Sequence, residues 1–384
     1  MTHEEFNEIR SFRDDEVRET TARIAATSQF QMIAAYLFGE QGAPAFLQQF
    51  QHMQSIREFQ GKIILPFLLK LEKDCTQGIT CDGLAHLAKH PTHLFITNHR
   101  DIVLDSAFLN KCLYEKGLNT SEIAIGDNLL IYPWIADLVR LNKSFIVKRG
   151  GSRRDLLQNS IRMSAYIRHD INERQESVWI AQREGRCKDS NDRTQESLLK
   201  MLALSGEGSI AQRLNGLHLC PISISYEYDP CDFLKAKEFQ QKRDNPDFKK
   251  SPADDLRSMQ TGVMGQKGRV MFRFCEPMDE FLANIEATME DKSAQCSAIA
   301  QEIDRRIHAN YELYPVNWIA ADLLQNTDMY GNRYTPEEKT QFEAYIAQRL
   351  ALIDLADKDE AFLREKLLCM YANPAINHMK AQEA

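Results

Sequence analysis

Apolar and polar positions follow two rhythms along this chain, and the change between them marks a change of architecture. Up to about residue 75 the apolar residues recur at helical spacing, as in FQMIAAYLFGE (30–40) and FLQQFQHM (46–53), without strand-like alternation. From about residue 93 short apolar runs take over, at 94–97, 122–126, 144–147, 177–181 and 217–226. Helically periodic segments near 102–116, 129–141, 153–171 and 195–214 lie between them. Strand, helix, strand repeated in this way predicts an α/β fold with a mostly parallel central sheet flanked by helices. In such sheets reactive side chains sit where strands end and loops begin.

A polar stretch rich in Lys, Gln and Asp (232–262) reads as a helical insertion, and GRVMFRFCEPM (268–278) alternates like one more strand. The clearest helix of the tail opens at TPEE, with Thr335 as N-cap, Pro336 in the first helical position and Glu338 closing a capping box. Phe342, Ile346, Leu350 and Ile353 then form one apolar stripe. The expected organisation is an N-terminal helical region (1–78), an α/β domain (79–280) with its insertion, and a C-terminal helical extension (281–384).

Composition narrows the partners. The 384 residues suffice for a full core, and a formal net charge of −8 argues against nucleic acid, so any anion site must be a local basic cluster. Nine cysteines, an odd number with no CxxC pair, suit a reducing compartment and argue against a disulfide framework or a zinc site. The charged start, MTHEEFNEIRSFRDDEVRE, lacks the apolar core of an export signal, and IILPFLL (63–69) is too short to span a bilayer. The expectation is a cytoplasmic protein, peripheral on the inner face of the membrane.

Candidate chemistry centres on ITNHRDIVLDSAFLN (96–110). His99-Arg100-Asp101 has the form of a protein-kinase catalytic triplet, but no DFG occurs, Ser106 stands where the metal-binding Asn belongs, and no GxGxxG precedes His99. The alternative is acyl transfer, in which a histidine just past a strand takes the proton of an attacking hydroxyl and a carboxylate orients the ring. Asp101 and Asp105 are both within reach. A second cluster, NKSFIVKRGGSRRD (142–155), ends a strand in Lys148-Arg149 and suits a phosphate or carboxylate. Third, SVWIAQREGRCKDSNDRTQ (177–195) places Glu184 between Arg183 and Arg186 beside Gly185, read as allowing close backbone approach to a head group. Fourth, LHLCPISISYEYDP (217–230) carries Pro221 near the start of a strand.

Four such pieces in this order resemble the glycerolipid acyltransferase family, the group containing lysophosphatidic acid and glycerol-3-phosphate acyltransferases. TNHRDIVLD resembles its first block, SFIVKR its second, REGR its third and PISISYE its fourth, with IYPW (131–134) and FRFCEPM as accompaniments. The resemblance covers roughly residues 80–280. It implies His99 as general base with Asp105 orienting it, Asp101 being the alternative. Arg149, Lys148 and Arg186 would hold the acceptor's phosphate, Glu184 and Gly185 would shape that site, and Pro221 would place the fourth block near the donor.

Two departures stand out. The family usually has four residues between His and Asp, whereas five precede Asp105, so an added turn must absorb one. Arg183 stands where the family commonly has Pro. The implied partners are acyl-ACP or acyl-CoA as donor, a lysophospholipid-type acceptor and a membrane surface, with no metal or redox cofactor. Glycerol-3-phosphate, an acylated amino-acid lipid, or a non-catalytic lipid-binding role are the alternatives.

Overall fold

The computed structural model describes residues 3–130 and 132–383, and among them seven strands form one sheet. They are β1 (Ile79–Asp82), β2 (Leu94–Thr97), β3 (Glu122–Gly126), β4 (Ser144–Val147), β5 (Val178–Ala181), β6 (Leu219–Tyr226) and β7 (Val270–Phe274), in the order β1-β7-β6-β2-β5-β3-β4. The five strands from β6 to β4 are mutually parallel, β7 pairs antiparallel with β6, and β1 runs parallel to β7. The sheet is therefore mostly parallel, as the alternation of strands and helices predicts.

The central strands are covered on both faces, which is why they read as continuous apolar runs. All four residues of β2 and all eight of β6 are buried. The strand that the sequence pattern does not announce is β1: ITCD is a four-residue edge strand alternating between half-buried and exposed. Pro221 lies third in β6, inside the sheet. Its carbonyl accepts from the Cys275 N–H at 2.9 Å, one residue beyond the first β6–β7 ladder pair, Ile222 with Phe274. Its missing donor thus falls where that ladder has ended, which is how an interior strand tolerates proline.

The helices in chain order are α1 (Asp14–Ala25), α2 (Ser28–Gln51), α3 (Ile56–Phe59), α4 (Leu65–Cys75), α5 (Leu104–Glu115), α6 (Pro133–Leu141), α7 (Arg153–His169) and α8 (Glu196–Leu202). They continue as α9 (Ile210–Asn215), α10 (Asp232–Asp244), α11 (Pro252–Met264), α12 (Asp279–Thr288), α13 (Lys292–Ala309), α14 (Pro315–Gln325), α15 (Pro336–Ala351) and α16 (Glu360–Glu383). The helically periodic segment over 195–214 forms two helices, α8 and α9, because Gly206 and Gly208 turn the chain between them with φ of 90° and 89°. Ile131, within IYPW, lies outside the described residues.

One face of the sheet packs against α7, α8, α9, α12 and α13, and the other against α4 and α5. Ile285, Ile299, Ile303 and Ile307, all beyond residue 280, belong to the same core as Leu94 and Ile96 of β2. The sheet's core thus runs past the boundary expected near 280. The rest of the tail shares a separate core with the insertion, where Phe233 and Ala236 of α10 meet Trp318, Phe342, Leu367 and Tyr371. The Thr335 capping box forms as its sequence predicts: Glu338 N–H donates to Thr335 Oγ1 and Thr335 N–H to Glu338 Oε2.

Candidate active site

Because β2, β3, β4 and β5 are parallel, their C-terminal ends lie along one edge of the sheet. His99 follows β2, Gly126 ends β3, Lys148 and Arg149 follow β4, and Arg183 to Arg186 follow β5. All of these residues line one cleft of about 800 Å³, near the upper end for a small-molecule site. Three of the four sequence blocks therefore converge. Pro221, of the fourth, is buried within the sheet and is not among the residues lining the cleft.

The His99 side chain is 13% exposed and its Nδ1 lies 2.8 Å from Asp105 Oδ2. Asp105 is fully buried in the first turn of α5, and the same oxygen accepts the N–H groups of Arg100 at 2.6 Å and Asp101 at 3.0 Å. An ionised carboxylate only accepts, so the Nδ1 proton is fixed and Nε2 is the atom left to take a proton. Trp179 sets an edge-to-face wall beside the ring, with centroids 5.7 Å apart.

Asp101 has a different task. Its Oδ1 accepts from the N–H groups of Val103 (2.9 Å) and Leu104 (2.8 Å), capping the start of α5 in the manner of an Asx turn. That capped turn over 101–103 absorbs the fifth residue between His99 and Asp105. Gly262 of α11 packs directly on it: a Cβ there would meet Asp101 Oδ2 at 2.0 Å.

Arg100 points away from the cleft. Its guanidinium makes two bonds to Asp192, at 3.2 and 2.7 Å, and faces Tyr311, whose hydroxyl also bonds Asp192. Lys235 of α10 donates to the Arg100 carbonyl at 3.2 Å. The loop carrying His99 is thereby tied to the loop after β5, to the insertion and to the segment after α13. Such a fully buried, bidentate ion pair holds geometry more than it adds stability.

Eight cationic side chains line the cleft against two carboxylates, Glu184 and Asp255. Arg149 lies 3.5 Å from Glu184, and Lys148 and Arg162 both reach Glu8, at 3.3 and 3.1 Å. These pairs are exposed and weak, so an anion can replace them. Deeper in, Arg186 Nη1 and Arg183 Nε are buried atoms with no hydrogen-bond partner among the described residues. Buried guanidinium nitrogens without partners favour an anionic ligand. Gly185 serves the site through its backbone: its φ is 68°, and a Cβ would have met nothing within 4 Å. This left-handed turn stands between Glu184 and Arg186, where glycine adopts it without steric strain.

Sequence reasoning missed Lys188, Lys242 and Lys250. The last two come from the insertion, which forms part of the cleft wall. The available signal was the basic run around QQKRDNPDFKK, whose placement depends on how α10 docks. Glu238 contributes to that docking, bonding Lys188 of the loop after β5 together with Lys242 (2.9 Å) and Lys250 (3.0 Å) of the insertion itself. Burial raises the Glu238 pKa, but the three ammonium groups outweigh it and hold the carboxyl down to about 2. A depressed carboxylate pKa stabilises above its ordinary value of 4.5 and ceases to do so as pH falls towards about 2. Limited digestion of the 245–251 connection by an acid-tolerant protease is therefore expected to accelerate over that window. Glu238→Gln is expected to accelerate it already at neutral pH, and a variant as resistant as the parent would refute the docking role.

Residues 78–225, which include β1 to β5 and β6 as far as Ser225, match the family model described as Acyltransferase. No curated protein matches the chain. Among solved structures, the chain is similar to the crystal structure of the 1-acyl-sn-glycerophosphate (LPA) acyltransferase PlsC from Thermotoga maritima. The identity is 11%, the coverage 77% of this chain and 94% of that chain, and the TM-score 0.36. Over residues 78–225, the part that holds His99, Asp105 and the cationic loops, this chain is similar to the acyltransferase family.

Proposed function

We propose that the protein is an O-acyltransferase that moves a fatty acyl group from acyl-ACP or acyl-CoA to the free hydroxyl of 1-acyl-sn-glycerol-3-phosphate, giving phosphatidic acid. The observation that carries this reading is the His99–Asp105 pair opening on a cationic cleft within the segment that matches the acyltransferase model. His99 Nε2 takes the hydroxyl proton as the oxygen attacks the thioester carbonyl. Asp105 steadies the imidazolium, the C–S bond then breaks, and the departing sulfur recovers the proton from His99. Arg149, Lys148 and Arg186 hold the acceptor's phosphate in register, which is the positioning part of the rate enhancement.

The membrane supplies such an acceptor, and α2 offers a surface for it. Met32, Ile33, Tyr36, Leu37 and Phe38 are exposed there, as are Phe67 and Leu69 on α4. No helix among the described residues is long and apolar enough to cross a bilayer. In this reading the protein works from the inner membrane face.

Purified protein given a labelled acyl thioester and a panel of acceptors tests the proposal. Phosphatidic acid is the expected product. A product only with glycerol-3-phosphate or with an acylated amino-acid lipid would reassign the acceptor, and none with any acceptor would leave a lipid-binding protein. A charge-assisted bond to phosphate contributes about 1.5–3 kcal/mol. Arg149→Leu is therefore expected to raise KM for the phosphate acceptor roughly ten- to a hundredfold, with kcat changed less. An unchanged KM would remove Arg149 from the acceptor site.

A further inference from the structure

At the end of the sheet opposite His99, three residues remote in sequence meet. His90 lies just before β2, His218 just before β6, and Asp279 opens α12. The backbone explains the meeting. β2 and β6 are parallel neighbours with Leu94 beside Leu219, and the Leu94 N–H donates to the Leu217 carbonyl at 3.0 Å. The Met278 N–H donates to the Leu219 carbonyl at 2.8 Å, which brings Asp279 alongside.

The side chains converge as metal ligands do. His90 Nε2 is 2.9 Å from Asp279 Oδ1, and His218 Nδ1 is 3.6 Å from it, too long for a hydrogen bond. One donor atom from each residue lies within 4.8 Å of the others. His218 Nδ1 and Asp279 Oδ2 are buried atoms without a hydrogen-bond partner among the described residues. Two imidazoles stacked 3.7 Å apart beside a half-orphaned carboxylate, with no Lys or Arg bonded to it among the described residues, form an incomplete polar cluster. His218 also has a φ of 49°, a left-handed backbone that a histidine seldom occupies.

We propose that His90, His218 and Asp279 bind one divalent transition-metal ion of the zinc class, pinning β2, β6 and α12 together. Imidazole nitrogen and carboxylate oxygen are the donor set such ions favour, and water completes four-coordination. His90 moves its proton to Nδ1 to free Nε2, and the stacked rings fan apart about their Cβ–Cγ bonds so that both lone pairs meet the ion. His93 stands edge-on to His90, with ring centroids 5.8 Å apart.

The test uses the full chain without an affinity tag, stripped with chelator and then titrated with Zn²⁺, Ni²⁺ or Co²⁺. Elemental analysis after desalting is expected to find one ion per chain, with a melting temperature that rises as metal is added. Bound Co²⁺ is expected to give the visible absorption of four-coordinate nitrogen and oxygen ligation. Changing groups that merely support metal ligands costs about 10- to 100-fold in affinity, so His90→Gln, His218→Asn and Asp279→Asn are each expected to lose at least that. Asn tolerates the left-handed backbone at 218, which keeps that variant folded. His99→Ala is expected to retain the ion. No bound ion in the parent, an ion retained by the ligand variants, or an ion lost with His99→Ala would each overturn the site. None of these outcomes bears on acyl transfer, which the acceptor panel tests separately.

Discussion

His99→Ala is expected to lower acyl transfer by about 100- to 10,000-fold, the range that a positioned base contributes, with the circular dichroism spectrum unchanged. The fold should survive because the ring is not part of the packed core. It lies at the cleft wall, and the turn around it is held by other bonds: Asp101 to Val103 and Leu104, and Arg100 to Asp192. Single-turnover assays with the acyl thioester and 1-acyl-glycerol-3-phosphate measure the loss. Activity near that of the parent would remove His99 as the base and, with it, the proposed mechanism.

The second large effect is expected at Asp105. Asp105→Asn keeps the size of the side chain and an oxygen able to accept the Arg100 and Asp101 N–H groups, but removes the charge that steadies the imidazolium. In a histidine–aspartate pair of this kind the loss reaches about 10,000-fold, and a fall in kcat of about 1,000-fold or more is expected here. Asp101→Asn is expected to cost far less, because an amide oxygen still caps Val103 and Leu104 and the group does not touch His99. Comparing kcat for the two variants decides between them. A larger loss at Asp101 would move the orienting role there.

The fold was legible where burial is two-sided or helical periodicity is long. β2 and β6 announce themselves because every residue is apolar or small and buried, and α15 because its cap and stripe agree. β1 was not legible, since four residues at a sheet edge leave no period to read. Within the site, the His99 block, Lys148-Arg149 and Arg183 to Arg186 were legible because each follows an apolar run, and parallel strands deliver their C-terminal ends to one edge. Lys242 and Lys250 were not, because α10 and the connection after it carry them to the cleft from an insertion, where Glu238 gathers them.

The local sequence by itself determined the repeated strand–helix units, the helix caps and the histidine with two carboxylates close behind it, because these depend on neighbours along the chain. Only the tertiary structure decided which carboxylate bonds His99. Asp105 wins because α5 begins at Leu104 and turns its first-turn carboxylate back onto the ring, while Asp101 is spent capping that helix. Tertiary structure likewise turned Arg100 inward to Asp192 and gathered His90, His218 and Asp279 from three distant segments. Contacts between residues far apart in the chain follow from how strands pair and helices dock, and no spacing along the sequence records them.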